Sequence, residues 1–393
     1  MIKMLTACTE EVDEITDAVA EILEQLDLDS NLAANSIGII SCDPEFVLSG
    51  VVEALAKKLP FNTVGITTRG GAVTGAFSSI QLNISVLTAD DVQFSIERSD
   101  AISSENVDEV IAGAYQKALN KLPGKPSLIL VYPPMIASIG AHPIGNAIFK
   151  AVENIPVFGT FSCSPFVDHR NSFTMMNGAA ESTSAVFVLL SGNVKPDFFM
   201  ISIPEENYRP KENYQKQRGI ITKSEGCCVY TINDMSFAAY LEKLGFPAAY
   251  IAVDSLYLIP FMLNFDDGNP PIARALYNIN DEGAAIFGGS MPTGKTISPG
   301  SLNYDGILET TEELLRQISL KKNINGILMY SCVVRHVLLG AKTDDELKKV
   351  VEKIGDVTPY QVCYSNGEIC PVKNSKGEFV NRLHNYTFIA CVL

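Results

Sequence analysis

The sequence lacks several patterns that would define its partners. It has no run rich in lysine or arginine, and its formal net charge is −15 at pH 7. Because nucleic acids are bound through clustered basic side chains, this charge argues against a nucleic-acid partner. No run approaches the roughly 20 apolar residues of a membrane helix, and the N-terminus has no basic region or apolar core of a signal peptide. We therefore expect a cytoplasmic protein without membrane insertion.

Patterns for metal sites and disulfides are missing as well. The nine cysteines are scattered, none of them lies in a Cys-x-x-Cys motif, and the four histidines are far apart. A zinc site needs a cluster of such ligands at short spacing. Unpaired, scattered cysteines are typical of a reducing compartment. The sequence therefore predicts no metal and no cofactor, in a cytoplasmic setting.

What is present is an ordinary globular composition. The chain has 393 residues, of which 47% are hydrophobic and 19% charged. A chain of this length can form two or more domains, each with its own core. Such a composition gives no indication of disorder.

One pattern occurs three times along the chain: a strand, a polar loop, a helix, a strand with a small polar end, and then further strands. The copies start near Ile37, Leu128 and Ile327. Their second strands end in Thr67-Thr68-Arg69-Gly70, Ser162-Cys163-Ser164 and Ser365-Asn366-Gly367-Glu368. Recurrence of a fixed pattern indicates repeats, although any α/β protein alternates strands and helices. We predict an α/β fold with mixed β-sheets flanked by helices, built from repeated β-α-β-β-like units in two domains.

The predicted boundaries follow from changes in this pattern. Residues 1–34 are expected to form an N-terminal acidic helix, beginning at Thr9-Glu10-Glu11-Val12, where a hydroxyl residue precedes two acids. The first domain is placed at residues 35–225 and the second at residues 226–393. The polar stretch from Glu205 to Gly219 is interpreted as a linker or exposed loop.

The motifs in these two regions resemble those of the FIST N and FIST C domains. In the second half they are Ser331-Cys332 with Arg335 close behind, Gly367-Glu368-Ile369 followed by Pro371, and Leu383-His384-Asn385-Tyr386-Thr387. Earlier features that agree are Arg274 and Ala284-Ala285-Ile286-Phe287-Gly288-Gly289 before Pro292-Thr293-Gly294. In the first half they are Ile37-Gly38-Ile39 and Val64-Gly65-Ile66-Thr67-Thr68-Arg69-Gly70.

The resemblance implies a sensor domain that binds small compounds such as amino acids and that is often fused to a signalling output module. No kinase, cyclase or chemoreceptor segment is recognisable in this sequence. We therefore expect a small-molecule ligand, and a signal that leaves through a separate signalling protein. The chain could also be an assembly or adaptor protein without a ligand.

Two charged residues carry the ligand-binding hypothesis. Arg335 follows a strand end, where its guanidinium could hold a ligand carboxylate through two parallel hydrogen bonds. Its alternatives are a surface arginine or a partner for Glu368. Glu368, in a predicted Asn-Gly-Glu turn, could bind a ligand ammonium, pair with Arg335 or cap the next element. Together they suit a zwitterionic amino acid or an organic acid bound between the two halves.

Other residues at the same strand ends complete the predicted pocket. They are Ser331, Cys332, Asn366, His384 and Asn385, with Arg69 and Ser162 at the other two strand ends. Cys332 also allows an enzymatic alternative, as a nucleophile with His384 as its base and Glu368 or Asn385 orienting that base. The sequence shows neither a lowered thiol pKa nor a base within reach, and a cysteine that ends a buried strand is commonly a small apolar residue.

Overall fold

The computed structural model describes residues 2–165, 169–204, 207, 217–246 and 253–393. Three similar units account for most of them, and a separate antiparallel sheet interrupts the third. Most of the linker predicted from Glu205 to Gly219 lies outside the described residues.

The first unit covers residues 3–89. Its elements are β1 (Lys3–Thr9), α1 (Ile15–Leu26), α2 (Leu28–Asn31), β2 (Asn35–Cys42), α3 (Pro44–Leu48), α4 (Val51–Lys58), β3 (Asn62–Thr67), β4 (Gly71–Val73), β5 (Ala76–Ser78) and β6 (Leu82–Ala89).

The second unit covers residues 92–192 and repeats this order. Its elements are β7 (Val92–Arg98), α5 (Val107–Lys121), β8 (Pro126–Tyr132), α6 (Ala141–Val152), β9 (Val157–Phe161), β10 (Thr174–Met176), β11 (Ala179–Glu181) and β12 (Val186–Gly192).

The third unit begins with β13 (Asp197–Ile201) and is then interrupted by a sheet with its own core, which we call the inserted sheet. The inserted sheet comprises β14 (Gly219–Glu225), β15 (Cys228–Ile232), β16 (Met235–Ser236), α7 (Phe237–Lys243), β17 (Pro260–Asn264), β18 (Ile272–Ile279), β19 (Ala285–Phe287) and β20 (Thr296–Pro299). The third unit resumes with α8 (Tyr304–Ser319), β21 (Ile327–Cys332), α9 (Val333–Leu339), α10 (Asp345–Ile354), β22 (Tyr360–Lys373), β23 (Phe379–His384) and β24 (Phe388–Val392).

Each unit is built on one parallel pair of strands. The pairs are β2 with β3, β8 with β9, and β21 with β22, and the last strand of each unit pairs antiparallel with the first strand of its pair. Parallel strands need a helical crossover between them, and each unit supplies one. The predicted α/β fold, with mixed sheets flanked by helices and repeated units, is therefore confirmed.

The units also exchange strands in a circle. In unit 1, β4 pairs with β22 of unit 3, while β10 of unit 2 pairs with β3 of unit 1. The far part of β22, which forms a hairpin with β23, pairs in turn with β9 of unit 2. No unit completes its own sheet, so the three units form one body.

Units 1 and 2 have a glycine at the same position of their second parallel strand. A Cβ atom on Gly65 would lie 2.2 Å from the Ile40 carbonyl oxygen, and one on Gly159 would lie 1.9 Å from that of Val131. Both glycines face these residues in the register of their parallel pairs. Glycine is therefore required at equivalent places in units 1 and 2, because a side chain would collide with the neighbouring backbone.

Residues 1–34 differ from the predicted helix. Residues Lys3–Thr9 form a strand that pairs antiparallel with β6, and the helix begins only at Ile15. Thr9 pairs with Leu82 in that ladder, and the Glu11 carboxylate accepts from the Asp13 and Glu14 N–H groups in a turn. Strand pairing with a partner far along the chain thus overrides the local helix signal.

The region predicted as the boundary between two domains lies inside the inserted sheet. Gly226 forms the turn between β14 and β15, which pair with each other. The described helices include none that is long and apolar enough to cross a membrane.

Candidate functional site

The second strands of the three parallel pairs come together at their polar ends. The Cys163 N–H donates to the Thr67 carbonyl oxygen at 2.8 Å, and the Arg69 N–H donates to the Tyr364 carbonyl oxygen at 3.0 Å. The Asn366 side-chain amide donates to the Ser162 carbonyl oxygen at 3.0 Å. The strand ends that the sequence identified therefore converge at one place, which we call the convergence site.

Hydroxyl side chains at the convergence site hold the strand ends to each other. Thr160 Oγ1 and Ser365 Oγ share a hydrogen bond of 2.6 Å between units 2 and 3. Ser162 Oγ accepts from the Met135 N–H at 3.1 Å and shares a hydrogen bond of 2.8 Å with Ser172 Oγ. The Ser162 hydroxyl is thus engaged within unit 2.

The turn predicted at Glu368 is wrong, because Ser365 to Glu368 lies inside the continuous strand β22. The ladder with β9 shifts register between Asn366 and Glu368, and Gly367 has a φ of 59°. This irregularity is a β-bulge, which turns side chains to new directions without ending the strand. Glu368 is consequently fully buried.

Glu368 lies among hydroxyl and thiol groups. Its Oε2 accepts from Thr387 Oγ1 at 2.7 Å, and the Cys332 side chain lies beside it. Burial raises the pKa of this carboxyl to about 8, because the charged form loses its water. Glu368 is therefore mostly protonated at neutral pH, which removes the negative charge expected to bind an ammonium group.

The thiol and the histidine of the enzymatic alternative are both buried. Burial, and then the neighbouring Glu368, raise the pKa of the Cys332 thiol well above its usual value, whereas a thiolate nucleophile needs a lowered one. His384 Nε2 lies 3.0 Å from the Cys370 carbonyl oxygen, and burial lowers the pKa of His384 to about 3. Asn385 Oδ1 accepts from the Ala275 N–H at 3.2 Å, which ties unit 3 to the inserted sheet.

Arg335 is held by a partner that the sequence did not indicate. It is fully buried, its Nη2 lies 2.5 Å from Glu346 Oε1, and its Nε donates to the same oxygen at 3.1 Å. The remaining N–H groups reach Thr310, Thr311 and the carbonyl oxygens of Ile307 and Ser202. Two predicted alternatives are wrong: Arg335 is not a surface residue, and its partner is not Glu368.

Ser331 belongs to the Arg335 network rather than to the convergence site. Its hydroxyl donates to Glu346 Oε2 at 2.8 Å. Arg335 and Ser331 therefore pack between β21, α8 and α10. Because the chain itself occupies every N–H group of the Arg335 guanidinium, this side chain is structural and does not bind a ligand carboxylate.

Arg69 is the charged side chain that remains open at the convergence site. It is half-buried, and among the described residues no carboxylate lies within ion-pairing distance of its guanidinium. Burial, and then the charge of Arg69, lower the pKa of His336 to about 4. Burial raises the pKa of the Cys163 thiol to about 12, and the charge of Arg69 opposes this rise. The N–H groups of Cys163 and Thr68 donate to the carbonyl oxygens of Thr67 and Cys42, at 2.8 Å each, so the segments that carry Arg69, Asp43 and Cys163 meet.

Sequence reasoning missed Asp43, Cys163, His336 and Thr387 as members of this neighbourhood. Asp43 follows β2 directly, and its carboxylate accepts from the Glu45 N–H at 3.0 Å as the N-cap of α3. The sequence does indicate Asp43 as a candidate, because it directly follows a buried parallel strand and ligands bind at such strand ends. Nothing in the sequence indicated that His336 would approach Arg69.

Comparisons with known proteins identify a family for this chain but no curated relative. The model of the FIST N domain matches residues 36–235, and that of the FIST C domain matches residues 236–371. No curated protein matches the chain. Among solved structures, cyanuric acid hydrolase from A. caulinodans is similar with 7% identity and a TM-score of 0.41, over 100% of this chain and 98% of that one.

Another structure in the comparison, phosphoribosylformylglycinamidine synthase II from Thermotoga maritima, has 9% identity and a TM-score of 0.20. It covers 100% of this chain and 71% of that one. These structural scores are too low to carry an argument about function.

Proposed function

The chain belongs to the FIST family, and on that premise we propose that it binds a small carboxylate ligand at the convergence site. The family is associated with the sensing of small ligands in signal transduction. The ligand class is an amino acid or an organic acid. The protein acts in the cytoplasm, and its signal passes to a separate signalling protein.

The observation that carries this proposal is the state of Arg69. Arg69 is partly exposed where three strand ends meet, and among the described residues no acid forms an ion pair with it. A guanidinium can bind a carboxylate through two parallel hydrogen bonds. Arg69 therefore takes the carboxylate role that the sequence assigned to Arg335.

The position of Asp43 supports the zwitterionic form of the ligand. Asp43 is half-buried, and it lies beside the segment of Arg69, because the Thr68 N–H donates to the Cys42 carbonyl oxygen at 2.8 Å. In this proposal Asp43 takes the ligand ammonium, because Glu368 is mostly protonated at neutral pH. Asn366 and the buried Glu368 then supply neutral hydrogen-bonding groups from β22.

The test is thermal unfolding of the full chain against a panel of amino acids and organic acids. A ligand that binds only the folded state raises the melting temperature by mass action. We expect at least one carboxylate hit that disappears in Arg69→Gln and persists in Arg98→Gln. Arg98→Gln is the control, because it also removes one positive charge, but away from the convergence site. The Nη1 atom of Arg98 lies 4.0 Å from Glu181 Oε1. If no carboxylate hit is weaker in Arg69→Gln than in Arg98→Gln, binding at Arg69 is contradicted.

A further inference from the structure

A cavity lies away from the convergence site, where α6, the inserted sheet and β23 meet. Its volume is about 240 Å³. Its walls include Arg274 and Phe265 from the inserted sheet, Arg382 from β23, and His142 and Phe149 from α6. None of the residues assigned to the convergence site lines this cavity.

Arg274 is buried in the wall of this cavity without a carboxylate partner. Only 2% of its surface is exposed. It donates to the carbonyl oxygens of Leu383 at 2.9 Å and of Ser290 and Ala273 at 3.4 Å. In the part of the chain that the structure describes, no acidic side chain forms an ion pair with it.

The backbone beside Arg274 is shaped to receive its guanidinium. A Cβ atom on Gly289 would lie 2.8 Å from both Cζ and Nε of Arg274. Such a distance is too short for any real contact, so the guanidinium occupies the space that a side chain would fill. The position of Arg274 is therefore built into the turn after β19.

Arg382 brings a second guanidinium to the same cavity. It pairs with Asp267, and its Nη1 is buried with no hydrogen-bond partner among the described residues. The Phe265 ring lies against both arginines, with its centroid 4.3 Å from Arg382 Cζ and 5.8 Å from Arg274 Cζ. Burial, and then the charge of Arg382, lower the pKa of Arg274 to about 9. Arginine stays protonated at neutral pH in proteins, so both side chains are charged, and Asp267 forms an ion pair with only one of them.

An unbalanced buried charge is costly, because transfer of an unpaired ion out of water costs several kcal/mol. The His142 side chain cannot offset the positive charge of the arginines, because an imidazole is either neutral or cationic. Burial, followed by the charge of Arg274, lowers the pKa of this histidine and so favours its neutral form. The chain as a whole carries a net charge of −15, so an uncompensated positive cavity is unusual within it. Among the described residues, no ion pair of Arg274 offsets this cost.

We propose that this cavity is a binding site for a small organic carboxylate, held by the guanidinium groups of Arg274 and Arg382. The two guanidinium groups bind the carboxylate, and Phe149 and Phe265 contact the apolar part of the ligand. The volume of about 240 Å³ is below that of sites for drug-sized molecules, which start near 300 Å³. The site therefore takes a metabolite with one small ring or a short branched chain.

This site is independent of the one at Arg69. Its walls come from unit 2, the inserted sheet and the hairpin of unit 3, so a bound carboxylate contacts all three. The occupant would thereby fix the inserted sheet against the body of the protein.

The test is thermal unfolding of the full chain with benzoate and with succinate, each compared with sodium chloride at equal ionic strength. We expect a carboxylate to raise the melting temperature beyond the effect of salt. In Arg382→Gln the affinity should fall roughly ten- to a hundredfold, because a charge-assisted hydrogen bond is lost. Gly289→Ala should weaken binding as well, because it displaces the Arg274 guanidinium while keeping its charge.

Two further variants make the outcome decisive. Arg98→Gln controls for net charge and should respond to carboxylates as the wild type does. Arg69→Gln should also retain this response, which separates the present site from the convergence site. The proposal is overturned if neither carboxylate exceeds the salt effect, if inorganic phosphate stabilises the protein and carboxylates do not, or if Arg382→Gln made in the Arg69→Gln background responds like Arg69→Gln alone.

Discussion

Arg335 and Arg274 are both buried, but their surroundings differ in one respect. Arg335 is paired with the equally buried Glu346, and its remaining N–H groups meet hydroxyl and carbonyl oxygens of α8 and the carbonyl oxygen of Ser202, just after β13. Arg274 has carbonyl oxygens as partners and borders a cavity with a second arginine. Arg335 therefore needs nothing from outside the chain, whereas Arg274 is balanced only when an anion binds.

Burial of an arginine does not by itself distinguish a structural role from a ligand-binding role. A buried arginine is structural when the chain supplies its counter-charge, and it indicates a ligand when the chain does not. Arg69 is an intermediate case, since it is half-buried and can be screened by water. Three of the following four predictions compare the contributions of Arg335, Arg274 and Arg69 to stability, and one concerns the buried Glu368. They begin with the largest expected effect.

The Arg335–Glu346 pair should be the most sensitive to substitution. Arg335→Met leaves the Glu346 carboxylate buried and unpaired, which is expected to lower the free energy of unfolding by about 3–5 kcal/mol. Urea unfolding measures this loss. The double variant Arg335→Met with Glu346→Met should be less destabilised than Arg335→Met alone, because no charge is then left unpaired. An unchanged unfolding midpoint in Arg335→Met would show that the pair is not structural.

Glu368 should make stability depend on pH. Its pKa is raised to about 8 in the folded protein, against an ordinary value near 4.3. The folded state therefore binds more protons between these values, so this contribution is complete below about pH 4 and falls as pH rises towards 8. The slope can reach about 1.4 kcal/mol per pH unit. Glu368→Gln should flatten the curve of unfolding free energy against pH in this window, and parallel curves would refute the assignment.

Arg274 should cost less to replace than Arg335, although both are buried. Arg274→Met loses hydrogen bonds to carbonyl oxygens but also removes an uncompensated charge, so we expect a loss of about 1 kcal/mol. Urea unfolding without added carboxylates gives the comparison with Arg335→Met. Equal losses in the two variants would mean that Arg274 has a counter-charge within the chain.

Arg69 should have the smallest effect on stability. A partly exposed side chain without an ion-pair partner contributes within about 0.5 kcal/mol. Arg69→Gln is therefore expected to unfold like the wild type in the absence of ligand and to lose the response to carboxylates at the convergence site. A large loss of stability in the ligand-free protein would assign Arg69 a structural role instead.

The sequence predicted the parts of the fold that depend on local patterns. The three copies starting near Ile37, Leu128 and Ile327 correspond to the three parallel strand pairs, because buried parallel strands appear as short apolar runs. The small polar ends at Arg69, Ser162 and Asn366 were identified for the same reason. Their place in one pocket was predicted, but the exchange of strands between units that brings them together was not, because it depends on pairing between distant residues.

Errors arose where distant residues decide the structure. The strand at Lys3–Thr9 exists because β6 pairs with it, and the acids that follow it gave a stronger local signal for a helix. Residues Ser365 to Glu368 were interpreted as a turn because Asn-Gly is typical of turns, yet β9 and β23 keep them in a strand. The partner of Arg335 lies on a different helix, which sequence spacing does not reveal.

The circular exchange of strands also has a consequence for synthesis on the ribosome. The Tyr360 N–H donates to Thr74 Oγ1, which lies 286 residues earlier in the chain. At about 5–20 residues per second, roughly 15–60 s pass between the synthesis of these two partners. During that time the hairpin of the first unit has an unpaired edge, which is prone to pair with other chains. Nascent chains of this protein should therefore depend on chaperones until their last strands emerge.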